Sequence, residues 1–403
     1  MSDQPVIDWT EGGEERSALW RSESGAPPPK QMAIVDDTLT ADQAYGLACQ
    51  GTALLWRGDF QNARQILTAM AKRADRQPRK PKKPAPAAIP APSADAFHLH
   101  RQAQSQRART LGMLLIEVEE DYVVALRRAP VVRQACTEAW GPGQGATVVS
   151  LRELLGLIGA HEWRSKGISI PAIDGRVHPH YGVFTPIRRE YVDLVAAAPL
   201  PAAATATSLA FDVGTGTGVL AAVLARRGIQ RIVATDNDPR ALECARANIE
   251  RLGLAKQVEV VEADLFPEGQ AALVVCNPPW VPARPSTPIE RGIYDPESQM
   301  LRGFLAGLGA HLLPGGEGWL VLSDLAEHLG LRTRAELLAM IDAAGLAVVD
   351  RLDTRPRHPK AADEDDPLHA ARVVDEAVDH VWRAPRVAEH LAGDGERRGA
   401  SAR

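Results

Sequence analysis

Short apolar runs alternate with helical segments through the second half of this 403-residue chain. Amphipathic stretches typical of helices separate most of these runs. Strands separated by helices pair in parallel and carry helices on both faces of their sheet, so the pattern predicts an α/β, Rossmann-like fold. The runs are LAFDV (209–213), RIVAT (231–235), VEVVEAD (258–264), AALVVCN (271–277), EGWLVLS (317–323) and LAVVDRL (346–352).

A glycine-rich loop follows the first predicted strand. In FDVGTGTGVL, the glycines Gly214, Gly216 and Gly218 stand between that strand and the next helix. Glycine lets the backbone turn tightly and approach a ligand, and a helix start offers free N–H groups. A dinucleotide loop has the spacing G-x-G-x-x-G. Here Val219 stands where the third glycine of that motif belongs, which argues against NAD.

Acidic residues end the next two predicted strands. Asp236 lies 24 residues after Asp212, at a distance suited to a carboxylate that accepts both ribose hydroxyls. Asp264 ends the third strand, where it could meet an adenine amino group. Asp238 precedes Pro239, and this pair predicts a helix N-cap with a structural role.

DVGTGTG, ATDNDPRALECARAN, EADLF and NPPW, in this order, resemble the motifs of class I S-adenosylmethionine-dependent methyltransferases. The resemblance covers residues 168–385 and implies S-adenosylmethionine as cofactor. It also implies a sheet of seven strands, with AVDHVWRA (377–384) as the antiparallel one and 353–376 as an insertion beside the substrate mouth. The implied cofactor ligands are Asp212, Gly214, Gly216 and Gly218 for the methionine end, Asp236 for the ribose, Asp264 for the adenine, and Asn277.

The NPPW motif, Asn277 to Trp280, follows the fourth predicted strand. In this superfamily the pattern marks enzymes that methylate a planar nitrogen, whose delocalised lone pair makes it a poor nucleophile. The Asn277 side-chain oxygen and the Pro278 carbonyl could accept both N–H groups and draw the nitrogen towards tetrahedral geometry. Pro278 and Pro279 restrict the backbone. We expect Trp280 to be exposed and to offer a flat face for stacking of the acceptor.

The segment HPHYGVFTPIRREYVDLV (178–195) resembles the Phe/Tyr-x-Pro-x-x-x-Glu segment of HemK-type protein-glutamine methyltransferases. That resemblance implies a lid that covers the cofactor and shapes the acceptor pocket. The residues at the matching places are Phe184, Thr185, Pro186 and Glu190. The eleven histidines form no ligand pattern, so no metal is expected.

Three functions stay open at this point. The first is a methyltransferase that acts on a protein acceptor of glutamine type or on another amide or amine. The second is a methyltransferase for an exocyclic base amine of RNA or DNA. A cofactor-binding interaction protein without catalysis is the third. The net charge of -5 gives no global attraction to nucleic acid, and the acidic run 363–366 favours a protein or small molecule. The basic stretch 76–83 could hold RNA.

The remaining chain predicts a helical amino-terminal part. We expect disorder in 1–36, a helical hairpin in 37–75 with Thr40 and Asp59 as caps, a Pro/Lys-rich linker in 76–95, and a helical region in 96–167. A methyltransferase domain in 168–385 and a disordered tail in 386–403 follow. The pattern shows no secretory signal and no membrane-spanning run, and the four cysteines stand far apart. We therefore expect a cytoplasmic protein with free thiols and no membrane partner, and the sequence leaves the oligomeric state open.

Overall fold

The computed structural model describes residues 4–75, 94–187, 189–205, 208–354 and 379–384. Its amino-terminal part contains a six-stranded mixed sheet, with the strand order β1-β2-β6-β5-β4-β3. The strands are β1 (Val6–Glu11), β2 (Glu14–Trp20), β3 (Gln31–Val35), β4 (Thr52–Trp56), β5 (Leu114–Val118) and β6 (Thr147–Ser150). The helices are α1 (Ala41–Cys49), α2 (Phe60–Ala74), α3 (Ala94–Leu111), α4 (Arg133–Trp140) and α5 (Leu151–Lys166).

This sheet corrects the expectation of a helical amino-terminal domain. Residues 1–36 were expected to be disordered, but 6–35 contain three strands. In β1 the apolar Ile7 and Trp9 alternate with polar residues and are buried. Gly12 and Gly13, both at positive φ, form the two-residue turn into β2. The alternation of apolar and polar residues in β1 is short and lies among polar residues, so the sequence pattern did not identify it as a strand.

The predicted helical hairpin 37–75 is also wrong, because β4 lies between its two helices. Thr40 and Asp59 do cap α1 and α2, as predicted. The region 96–167 likewise holds β5 and β6 in addition to helices. β4 and β5 are short apolar runs, and periodicity alone does not distinguish such a run from a buried helix segment. Most of the predicted linker lies outside the described residues, and α3 already begins at its end.

The second sheet has seven strands in the order β11-β10-β9-β12-β13-β15-β14. The strands are β9 (Leu209–Val213), β10 (Arg231–Asp236), β11 (Val258–Glu262), β12 (Ala271–Cys276), β13 (Leu312–Ser323), β14 (Asp350–Thr354) and β15 (Asp379–Ala384). All pairings are parallel except those of β15, which runs antiparallel to β13 and β14. The predicted α/β, Rossmann-like sheet is confirmed, including its antiparallel strand. The expected sixth strand at 346–352 lies slightly later, at β14.

Helices cover both faces of this sheet, and a small hairpin precedes it. The hairpin is formed by β7 (Ile168–Ile170) and β8 (Gly175–Val177). The helices are α6 (Glu190–Ala197), α7 (Val219–Arg226), α8 (Pro239–Arg251), α9 (Gln299–His311), α10 (Leu325–His328) and α11 (Arg334–Ala343). Short 3-10 turns occur at Pro171–Ile173, Pro288–Gly292 and Pro296–Ser298. No described helix combines the length and apolarity of a bilayer span.

The central strands β9 and β12 are almost fully buried, because helices pack on both of their faces. In the sheet, β9 lies between β10 and β12. From β9 the chain adds β10 and β11 towards one edge, and it then adds β12 and β13 towards the other edge, so the strand order reverses between β9 and β12. In open parallel sheets, ligands bind at the carboxyl ends of the strands beside such a reversal. The fold therefore places the glycine loop after β9 and the NPPW motif after β12 at one crevice.

The four cysteines are free, as expected, and three of them are buried. The predicted insertion and tail lie almost wholly outside the described residues. The boundaries 168–385 of the methyltransferase domain stay a prediction.

Candidate active site

A cavity of about 620 Å³ opens at the carboxyl ends of β9, β10 and β12. Residues from all three predicted groups, the cofactor loop, the NPPW motif and the lid, line it together. The predicted site residues in its lining are Phe184, Asp212, Gly214, Gly216, Asp236, Asp264, Asn277 and Pro279. The predicted residues that do not line it are Thr185, Pro186, Glu190, Gly218, Pro278 and Trp280.

The glycine loop is held in a left-handed conformation. Gly214, Gly216 and Gly218 have φ values of 71°, 54° and 80°, which glycine adopts without steric cost. The Gly218 Cα position packs against α8, since a Cβ there would lie 3.4 Å from the Cα of Ala245. Gly218 therefore allows close packing of α7 against α8, while Gly214 and Gly216 face the cavity.

Asp212, in β9, holds this loop through side-chain hydrogen bonds. Its side chain is 1% exposed and accepts hydrogen bonds from the Thr215 hydroxyl (2.7 Å) and the Ala221 backbone N–H (2.9 Å). Burial raises the pKa of the Asp212 carboxyl to about 6, against the opposing effect of those two hydrogen bonds. Asp212 thus ties β9, the loop and the start of α7 together.

Asp236 links the second strand to the same loop. It accepts hydrogen bonds from the Gly216 N–H (3.0 Å) and the Asp238 N–H (3.0 Å), and burial raises its pKa. Asp238 caps α8 through the Arg240 N–H (2.9 Å), so its predicted structural role is confirmed. Asp264 is exposed at the rim of the cavity.

Trp280 differs from the prediction. Its side chain is only 8% exposed, and its ring packs edge-to-face on Phe184 with ring centroids 5.8 Å apart. The expected exposed stacking face is therefore wrong. The reason is that the backbone N–H groups of Trp280 and Val281 both donate to the carbonyl of Ile293, which folds the following segment over the motif.

The buried indole has a different contact with the site. Its Nε1–H donates a hydrogen bond of 3.0 Å to the Oδ1 of Asn277. Asn277 lies directly after β12, is partly buried and lines the cavity. Because an indole N–H can only donate, it fixes which end of the Asn277 amide bears the oxygen.

The segment 178–195, which was predicted to be a lid, is hydrogen-bonded to α8. The His178 N–H donates to the Asn248 Oδ1 (2.8 Å), and the His180 N–H to the Cys244 Sγ (3.3 Å). This backbone arrangement brings Phe184 to the cavity wall. Glu190 is instead buried in the first turn of α6 and does not itself line the cavity.

The sequence reasoning missed the segment after the NPPW motif. It contributes Arg291, Asp295, Gln299, Met300 and Gly303 to the lining. Asp295 is 5% exposed and accepts from the Met300 and Leu301 N–H groups (3.1 and 3.2 Å) at the start of α9; burial raises its pKa. The Asp-Pro pair at 295–296, just before an apolar helical pattern, was the available signal.

The lining carries more negative than positive charge. Five aspartates, at 212, 236, 238, 264 and 295, face a single arginine among the described lining residues. Such a field attracts a cation and repels phosphate groups. It fits the positively charged sulfonium of S-adenosylmethionine, and it fits a dinucleotide pyrophosphate poorly. Within the described ranges, no three His, Cys, Asp or Glu side chains are grouped to hold a metal ion.

Comparison with known proteins locates a family in this part of the chain. Residues 174–333 match the family described as methyltransferase small domain. Ribosomal protein L11 methyltransferase of Pelotomaculum thermopropionicum is 37% identical over 144 residues, which are 35% of this chain and 39% of that protein. Release factor glutamine methyltransferase of Cereibacter sphaeroides is 32% identical over 164 residues, 36% of this chain and 56% of that protein. The chain thus spans between about two fifths and just over half of the length of these relatives.

The solved structures that resemble part of this chain include methyltransferases. The ribosomal protein L11 methylase of Lactobacillus delbrueckii subsp. bulgaricus has a TM-score of 0.32 and 15% identity, covering 49% of this chain and 77% of that one. Geranyl diphosphate methyltransferase in complex with SAM has a TM-score of 0.37 and 14% identity, covering 49% and 84%. Residues 174–333, which contain the described residues that line the cavity, therefore match a family of methyltransferases.

Proposed function

We propose that the protein transfers the methyl group of S-adenosylmethionine to a planar amide or amine nitrogen of a protein, with a glutamine-type side chain as the leading acceptor. The observation that carries the proposal is the Asn277 amide. It lines the cavity directly beyond β12, and the Trp280 indole holds its oxygen end in place at 3.0 Å.

The Asn277 oxygen can serve a second donor. An amide oxygen has two lone pairs, and the indole N–H occupies one of them. In the proposal the other lone pair accepts one N–H of the acceptor nitrogen. The second N–H is assigned to the carbonyl of Pro278, which stands between the lining residues Asn277 and Pro279 but does not itself line the cavity. Holding both hydrogens reduces delocalisation of the nitrogen lone pair and directs it at the methyl group. Positioning of this kind can lower the activation free energy by about 7–11 kcal/mol.

The cofactor end of the proposal uses the glycine loop and the strand-end aspartates. When bound, S-adenosylmethionine supplies an electrophilic methyl group on a sulfonium. Asp236 retains carboxylate lone pairs beyond its two backbone contacts, and these can accept from the ribose hydroxyls. Asp264, exposed at the rim, can accept from the adenine amino group. Asp212 acts by holding the loop that faces the methionine end.

Two observations support a protein acceptor over a nucleic acid. Five aspartates and one arginine line the cavity as a whole, and this excess of carboxylates disfavours a phosphate backbone inside it. The two curated relatives described above are named for protein substrates, ribosomal protein L11 and a release factor. The basic stretch that could hold RNA lies outside the described residues, so it lends no structural support to the alternative.

The proposal is tested with radiolabelled S-adenosylmethionine and extract from a strain that lacks the protein. Half of each product is digested with protease and half with nuclease. Label released by protease supports the proposal. Label released by nuclease shows a base methyltransferase instead, and label resistant to both shows a small acceptor. Absence of any label, with the cofactor still bound, supports an interaction protein without catalysis.

Asn277→Ala is the decisive variant. Loss of one orienting hydrogen bond at a buried group costs about 1–3 kcal/mol, so the transfer rate should fall about 5- to 150-fold. Cofactor affinity, measured by calorimetry, should change much less. Asn62→Ala is the matched control, since Asn62 is partly buried on α2 and does not line the cavity. Equal losses of rate and cofactor affinity in Asn277→Ala would contradict the assigned role.

A further inference from the structure

Helix α3 packs against the apolar cores of both halves of the protein. Near its amino-terminal end, Phe97 is 3% exposed and belongs to the same apolar cluster as Trp280 and Val281. At its other end, Leu111 belongs to the core beneath the amino-terminal sheet. The helix is therefore anchored in the methyltransferase domain at one end and in the amino-terminal domain at the other.

Arg101 lies between these anchors and contacts the segment that follows NPPW. Its Nη2 donates to the carbonyl of Arg284 (2.6 Å), and its Nη1 lies 3.6 Å from a carboxylate oxygen of Glu290. The guanidinium carbon also lies 4.2 Å from the centroid of the Tyr294 ring. The side chain is only 22% exposed. A further hydrogen bond runs from the same Nη2 to the Ser286 hydroxyl (3.4 Å). One arginine on α3 thus contacts four residues within 281–295, which we call the acceptor segment.

The acceptor segment in turn forms part of the site. Arg291, Gly292 and Asp295 line the cavity. The segment is hydrogen-bonded to the NPPW motif through Trp280 N–H to Ile293 O (3.0 Å), and Asp295 N–H to Val281 O (2.9 Å). Its regular structure is limited to one short 3-10 turn and an isolated bridge, so side-chain contacts supplement these few backbone hydrogen bonds.

We propose that Arg101 is a positioning residue for methyl transfer. It holds the acceptor segment against NPPW and so shapes the acceptor side of the cavity from the amino-terminal domain. A planar guanidinium suits this task, because it donates from several fixed directions and stacks on an aromatic ring at the same time. The kinetic consequence rests on the proposed function, whereas the structural consequence does not.

The structural arm measures hydrogen exchange of the full-length protein by mass spectrometry. In Arg101→Ala, amides of the acceptor segment and of Trp280 should exchange about 5- to 10-fold faster than in the wild type. Arg107→Ala is the matched control: Arg107 lies on the same helix and pairs with Asp75 (2.6 Å), away from the acceptor segment. In Arg107→Ala, amides of the acceptor segment should exchange at the wild-type rate. Unchanged exchange in Arg101→Ala, or equal acceleration in both variants, would overturn the proposal.

The kinetic arm measures label transfer from S-adenosylmethionine to dialysed extract protein at several extract concentrations. In Arg101→Ala the rate at low extract should fall about tenfold, while S-adenosylmethionine affinity by calorimetry stays within twofold. Arg101→Lys keeps the charge near Glu290 and Tyr294, so it should recover part of the rate. A parallel loss of cofactor affinity, or no rescue by lysine, would contradict positioning. If wild-type protein transfers no label, the proposed function fails, and the exchange arm still decides the role of Arg101.

Discussion

The hydrogen bond from Trp280 to Asn277 can be removed without removing the aromatic ring. Trp280→Phe deletes the indole N–H and retains a ring that packs against Phe184. The oxygen of Asn277 then loses the donor that fixes its orientation. We expect the methyl-transfer rate to fall, because the amide can rotate and present its NH₂ group to the acceptor.

The size of the effect follows from the geometry. The bond is 3.0 Å long, its donor side chain is 8% exposed and its acceptor is partly buried. A net hydrogen-bond contribution of about 0.5–1.5 kcal/mol corresponds to a rate loss of about 2- to 13-fold. This loss is smaller than that expected for Asn277→Ala, since Trp280→Phe leaves the accepting oxygen in place.

The assay is the initial rate of label transfer at saturating S-adenosylmethionine, together with thermal unfolding. Trp319→Phe is the matched control. Trp319 is also buried, and its indole donates to the Glu317 carboxylate (3.1 Å) in β13, outside the cavity lining. Trp319→Phe should lower the melting temperature and leave the transfer rate per folded molecule unchanged.

Two results would refute the reasoning. Trp280→Phe with wild-type rate, beside an impaired Asn277→Ala, would show that the indole donor does not orient the amide. An equal rate loss in Trp319→Phe would show a general effect of losing buried volume. Only a rate loss specific to Trp280→Phe supports the orienting role.

Two further predictions concern the cofactor loop. Gly214→Ala should weaken S-adenosylmethionine binding in calorimetry, because φ is +71° and the new Cβ, 2.5 Å from the flexible end of Met300, would displace that side chain within the cavity that it lines. Gly228→Ala, at φ +96° with open space around it, should show only the backbone strain of about 1–2 kcal/mol in stability; equal binding losses would contradict the steric argument. Asp212→Asn should be more stable than the wild type at neutral pH, since an amide oxygen can accept the same two hydrogen bonds without a buried charge. The folded pKa of about 6 lies above the ordinary 3.8, so the wild type loses stability as pH rises through this window. The advantage of Asp212→Asn in urea unfolding should grow between about pH 4 and pH 6 towards the order of 3 kcal/mol, and a constant difference would contradict it.

The carboxyl-terminal sheet could be predicted because its signals are local. β12 is a continuous apolar run and β9 is apolar except for Asp212; both stand between turn signals, and helices with their own periodicity follow them. Asp236 and Asn277 stand at strand ends, and parallel strands bring their carboxyl ends to one edge. The meeting of these residues at one cavity therefore follows from the order of the strands.

The amino-terminal sheet could not be predicted in the same way. TALLW of β4 and LLIEV of β5 are each five residues long, too short for periodicity to distinguish strand from helix. They become strands because they pair with each other and with β3 and β6. Those pairings join residues far apart in the chain, and no local pattern records them.

The sequence by itself determined the class of fold, the glycine loop with its aspartates, and the position of Asn277 at the end of a strand. Each of these depends on neighbours within a few residues. Only the tertiary structure decided that Trp280 is buried and orients Asn277, and that Arg101 reaches the acceptor segment from a distant helix. Trp280 is buried because its backbone N–H pairs with the carbonyl of Ile293, which lies 13 residues later in the chain. Arg101 reaches the acceptor segment because α3 packs against two apolar cores. Contacts of that kind arise from packing between segments, which residue spacing along the chain does not encode.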